Sequence, residues 1–172
     1  MTLTTVLLLA LVIGLVCGLR SMTGPAIICW GAHLGWLELH HSRLSFLHST
    51  IALIVFFLLA LGELVADKLA NIPGRNQPGP LAVRFLSGAL CGSALCITAA
   101  MAVLPGALLG GLGGVAGGLL GYHVRRWLTH ERHLPDLPVA LTEDVITICV
   151  GLFTVSRFVS IVHTQDFYYF VK

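Results

Sequence analysis

Charge is what this sequence lacks. Its 172 residues hold 10 Lys and Arg and 8 Asp and Glu, so 10% are charged, against about 25% in an ordinary soluble domain. So few charges cannot coat a soluble fold of this size. The scarcity excludes most soluble enzymes, charged disordered tails and any nucleic-acid-binding domain of the basic-patch kind. A net charge of +2 says nothing about an acidic partner. Paired cysteines are missing too: the five, at positions 17, 29, 91, 96 and 149, form no CxxC and lie in apolar surroundings. They read as small buried hydrophobes, not as a disulfide or metal framework. There is no Ser-His-Asp set, P-loop, zinc motif or CDP-alcohol phosphotransferase-type Asp array. No cofactor or metal is expected, and the weight falls against an enzyme.

What is there is apolar: 56% hydrophobic residues and, besides them, 19 glycines. No Asp, Glu, Lys or Arg lies between Met1 and Arg20, between Arg20 and Glu38, or from Leu44 to Gly62. Residues 85–124 form a run of 40 without one, broken by Leu104-Pro105-Gly106. About 20 apolar residues cross the roughly 30 Å of bilayer hydrocarbon, so this run holds two spans and a turn. The chain reads as an all-α, polytopic membrane bundle forming a single domain over 1–172, since helices satisfy their own backbone in lipid. The N-terminal stretch lacks a basic n-region and a small-x-small cleavage site, and reads as a retained span.

Spans are predicted at 3–19, 24–38, 47–67, 83–103, 106–127 and 138–160. The second is short and either crosses or re-enters. If all six cross, one side receives Arg20, Lys68, Arg75, Arg84, Arg125, Arg126 and Arg132, and the other receives Arg43, Arg157 and Lys172. The positive-inside rule then puts the first set in the cytoplasm and both termini outside. The five-span alternative moves Arg20 across and brings the N-terminus inside.

Glycines recur every four residues at Gly106, Gly110, Gly114 and Gly118, with a second row at Gly113, Gly117 and Gly121. Such rows let helix backbones approach closely in lipid. They predict tight packing inside the bundle, or a sliding surface of a transporter, or a homodimer seam. Gly14-Leu-Val-Cys-Gly18 matches Gly88-Ala-Leu-Cys-Gly92, a trace of an inverted repeat.

Three polar motifs interrupt the apolar background. In Gly18-Leu-Arg-Ser-Met-Thr-Gly-Pro25, Arg20 closes one helix, Ser21 and Thr23 are capping residues, and Pro25 suits the first turn of the next. An arginine beside a new helix N-terminus can hold a phosphate or carboxylate, or it can snorkel to the interface. In Leu61-Gly-Glu-Leu-Val-Ala-Asp-Lys-Leu69, Glu63 and Asp67 share a helix face, and Lys68 or Arg20 could neutralise them. In Pro138-Val-Ala-Leu-Thr-Glu-Asp-Val145, Glu143 and Asp144 enter the last span beside Thr142 and Thr147. Intramembrane acids are candidates for function. The six-span arrangement brings Arg20, Glu63, Asp67, Glu143 and Asp144 to one, cytoplasmic, half. The histidines show no ligand spacing on one element.

GLRSMTGPA, LLALGELVADKL with Pro73 after it, SGALCGSALC, the Gly-rich helix ending GYHVRR, and LPVALTEDVI together resemble a bacterial inner-membrane family catalogued as domain of unknown function 4126. The resemblance runs from about Gly14 to Ser156. It implies a multi-pass membrane protein, carries no activity over, and singles out Arg20, Ser21, Thr23, Glu63, Asp67, Lys68 and Asp144.

These features predict transport or flipping of a small anionic or lipid-phosphate-like solute, with membrane lipid and that solute as partners and no nucleic acid. Arg20, Ser21 and Thr23 would bind the anion, and Glu63 and Asp144 would couple protons or cations. The alternatives are a structural or assembly protein packing through glycine rows, and a lipid-modifying enzyme using Glu63, Asp67 and a metal.

Overall fold

The computed structural model describes residues 2–40, 42–66, 78–132 and 135–170, with side chains to Val159 and without that of Glu131. Asp67 and Lys68 lie outside the described residues. Among the described residues the chain is helical without strands: α1 (Leu3–Leu19), α2 (Thr23–His33), a 3-10 turn (Ser45–His48), α3 (Thr50–Ala66), α4 (Pro78–Thr98), α5 (Val103–Arg126) and α6 (Asp136–Phe170). Three helices, Pro78–Thr98, Val103–His130 and Asp136–Val159, are long and apolar enough to cross a membrane, and α1 and α3 are apolar helices of 17 residues each. A helical membrane bundle is compatible with this architecture.

Helices α1, α4 and α5 pack closest, and their glycines explain why. A Cβ on Gly14 or on Gly88 would overlap the carbonyl of Gly110, and one on Gly113 would sit 2.6 Å from the Leu11 carbonyl oxygen. Both glycine rows of α5 are buried, so they meet α1 and α4 of the same chain. The matched pentapeptides therefore seat their first glycines against one residue, Gly110, from helices running in opposite directions. Helix α6 lies against α1 and α2, while α3 packs chiefly on α2 and the 3-10 turn. Of the α3 side chains, Ala60 is the buried one.

The second segment crosses the bundle. Helix α2 stops at His33 and not near residue 38, because Gly35 adopts φ +74°. Its N–H bonds the Ala32 carbonyl at 3.1 Å, and that of Trp36 bonds Gly31 at 2.8 Å, the paired bonds of a Schellman stop. Eleven helical residues rise only about 16 Å. Irregular chain with buried Leu37 and Leu39, then the 3-10 turn with buried Leu47, completes the passage, tolerable at depth where protein covers it. Because Glu63 near the end of α3 meets Ser21 at the start of α2, Thr50 lies about 20 Å away along α3. The chain has reached the opposite end, which a re-entrant segment would not allow.

The turn between α4 and α5 falls at Ala99–Ala102, before the Leu104-Pro105-Gly106 break that the sequence suggested. Pro105 sits in the first turn of α5, where its missing N–H has no helical partner to lose. Ala100 takes the left-handed conformation, φ 52°, in a second Schellman stop: Ala100 N–H bonds Ile97 and Met101 N–H bonds Cys96, both at 2.9 Å. Correspondingly α4 begins at Pro78, five residues before the predicted span, and carries Arg84 inside it.

Candidate functional site

One end of the bundle gathers the ends of α1, α3 and α5 and the starts of α2, α4 and α6. Arg20 leaves α1 in an extended conformation, with its N–H still bonded to the Val16 carbonyl at 2.9 Å. Only 1% exposed, it is the largest fully buried side chain described. Its Nη2 forms an ion pair with Oδ1 of Asp144, whose side chain is 8% exposed. Its Nη1 donates to the backbone carbonyl of Glu63 at 3.4 Å. One guanidinium thus ties α1 to α6 and α3.

The turn after Arg20 is occupied by the side-chain carboxyl of Glu63. Its Oε1 accepts the Ser21 N–H and the Ser21 hydroxyl, each at 2.9 Å, and its Oε2 accepts the Met22 N–H at 2.9 Å. Two successive amides and a hydroxyl make a cradle of the kind that binds carboxylates and phosphates elsewhere. Arg20, Glu63 and Asp144 together carry one surplus negative charge when ionised. An incoming anion would have to displace one of the two carboxylates.

The remaining expected residues separate. Thr23 is buried in the first turn of α2 and faces a cleft towards α3, outside the hydrogen bonds on Glu63. Glu143 and Asp144 are sequence neighbours, so a helix points them about 100° apart. Asp144 meets Arg20, whereas Glu143 lies 3.9 Å from Nη1 of Arg125. Arg125 grips Asp136 with two bonds, Nε to Oδ1 at 2.8 Å and Nη2 to Oδ2 at 2.6 Å. The Thr142 and Thr147 hydroxyls each donate at 2.7 Å to their own helix, at Pro138 and Glu143.

Arg84 and Arg125 entered the sequence reading only as loop charges. Arg84 is in fact buried in α4, 6% exposed, with its side chain along Gly118 of α5. The available signal was the apolar flank on both sides, Leu-Ala-Val before it and Phe-Leu after. The histidine pair His40 and His48, with ring centroids 3.7 Å apart, belongs to the α2–α3 connection at the opposite end.

A family described as Domain of unknown function (DUF4126) matches residues 7–161. The chain belongs to that family. No curated protein and no solved structure matches it.

Proposed function

We propose that this DUF4126 member moves a small anionic or lipid-phosphate-like solute through the bacterial inner membrane, with the Arg20–Glu63–Asp144 cluster as its internal anion site. The observation that carries the reading is the Glu63 carboxylate seated on the Ser21 and Met22 amides beside buried Arg20. In this reading Glu63 is the resting occupant. A proton on Glu63 removes its charge, weakens its charge-assisted bonds, and releases the Ser21 and Met22 amides to the solute, beside Arg20, which bonds Glu63 at its backbone carbonyl. Asp144 keeps the guanidinium in place meanwhile, and Glu143 with Arg125 forms the rim. Arg20, Arg84, Arg125 and Arg126 gather at this end, which supports its cytoplasmic placement.

The test is flux of inorganic phosphate, and of a headgroup-labelled phospholipid, in vesicles containing the purified protein. Arg20→Lys and Glu63→Gln should stop movement in protein that remains monodisperse.

A second reading has its own support. Arg20 and Glu63 already satisfy each other's elements, so the cluster can equally be a lock in a structural or assembly protein. In that case the variants lower melting temperature and no flux exists to lose.

A further inference from the structure

Between α2, α3 and α6 lies a cleft of about 440 Å³. Ala26 and Trp30 of α2, Phe57 and Leu61 of α3, and Ile148 and Leu152 of α6 line it. Among the described residues, apart from the Trp30 indole N–H, Thr23 is the one polar side chain along it. The stripe from Thr23 to Trp30 faces that from Leu64 to Phe57, giving a length of about 10 Å at 1.5 Å per residue. Its Thr23–Leu64 end adjoins Met22 and Glu63, so the apolar cleft stops at the charged cluster.

We propose that this cleft binds one acyl chain of a membrane phospholipid, with the phosphate headgroup beyond Thr23 at the Arg20 end. Polarity fits an amphiphile: hydrocarbon walls with charge at a single end. Access fits as well, because the neighbouring outward faces are apolar, with Leu58 60% and Phe153 63% exposed. This inference deepens the lipid-phosphate reading above and rests on it only for the headgroup position.

The test is photolabelling in phosphatidylglycerol bilayers, using a trace phospholipid with a diazirine midway along one chain, followed by peptide mapping. Label should concentrate several-fold on residues 23–30 and 57–64 relative to the α5 face bearing Leu108, Leu112 and Leu120, which are 51%, 58% and 62% exposed. Ala60→Phe, or the milder Ala26→Leu, should abolish the excess and leave α5 labelling unchanged. Labelling that follows exposure equally on both faces, or that ignores the filled cleft, overturns the proposal. Wild-type protein alone decides the first comparison if a variant fails to fold. A labelled cleft with no movement of either phospholipid or inorganic phosphate sinks transport and spares the cleft; movement with uniform labelling does the reverse.

Discussion

The Glu63 carboxylate accepts both the amide and the hydroxyl of Ser21, each at 2.9 Å. A side chain near the end of α3 thereby fastens the start of α2, the helix on which α3 chiefly packs among the described residues. In the proposed function, the same bonds occupy the place where the solute would bind.

Glu63→Gln should therefore destabilise the protein as well as open the cradle. The amide leaves one N–H of the turn facing another donor, and hydrogen bonds to charged groups contribute about 1.5–3 kcal/mol. A loss of about 2 kcal/mol in denaturant unfolding in detergent is expected. An unchanged midpoint would show that Glu63 does not hold the turn.

Arg20 and Asp144 should be strongly coupled. Removing one partner of a buried pair leaves a stranded charge and costs about 3–5 kcal/mol. Asp144→Asn and Arg20→Met should each fall in that range, and the double variant should lose much less than their sum. Additive losses would mean that the two side chains do not depend on each other.

Glycine substitutions should divide by location. Gly110→Ala places a methyl on the Gly88 backbone and should prevent recovery of monodisperse protein, and Gly114→Leu, facing the Arg84 carbonyl, should do the same. Gly62, with nothing within 4 Å of an added Cβ, should accept alanine and gain about 0.5–1 kcal/mol of helix stability. Size-exclusion profiles and melting curves separate these outcomes.

Ala100→Gly should stabilise the α4–α5 turn. An L-residue in the left-handed region costs about 1–2 kcal/mol, and Ala100 is exposed at φ 52°. A gain of about 1 kcal/mol is expected, reduced by the greater freedom of glycine in the unfolded chain. A loss of stability would show that the turn does not need that conformation.

The convergence of Arg20, Glu63 and Asp144 was legible because alternating helix direction sends those three span ends to one side. Which partner each acid takes was not legible. Glu143 and Asp144 differ only by the rotation of α6, and that depends on how α6 packs on α1. Arg84 was hidden by a sound rule: a basic residue near a span end is normally solvated. Its apolar flank was the one local signal; the Gly118 against which its side chain lies is a tertiary neighbour that no local pattern names. The Pro105-Gly106 pair misled the turn placement because proline serves the first turn of a helix as readily as a loop. Gly35 was available as the stop of α2, but Trp36 and Leu37 beyond it continue the apolar pattern.

In the proposed function, Glu63 stands where a solute anion binds. Phosphate titration of the purified protein, followed by calorimetry, tests it most directly. Glu63→Ala should bind inorganic phosphate measurably more tightly than the parent protein, Arg20→Lys in the same background should weaken this binding, and phosphate binding to the parent should take up a proton. No phosphate binding by either protein, with both still folded, would contradict it and leave the cluster as a lock between helices.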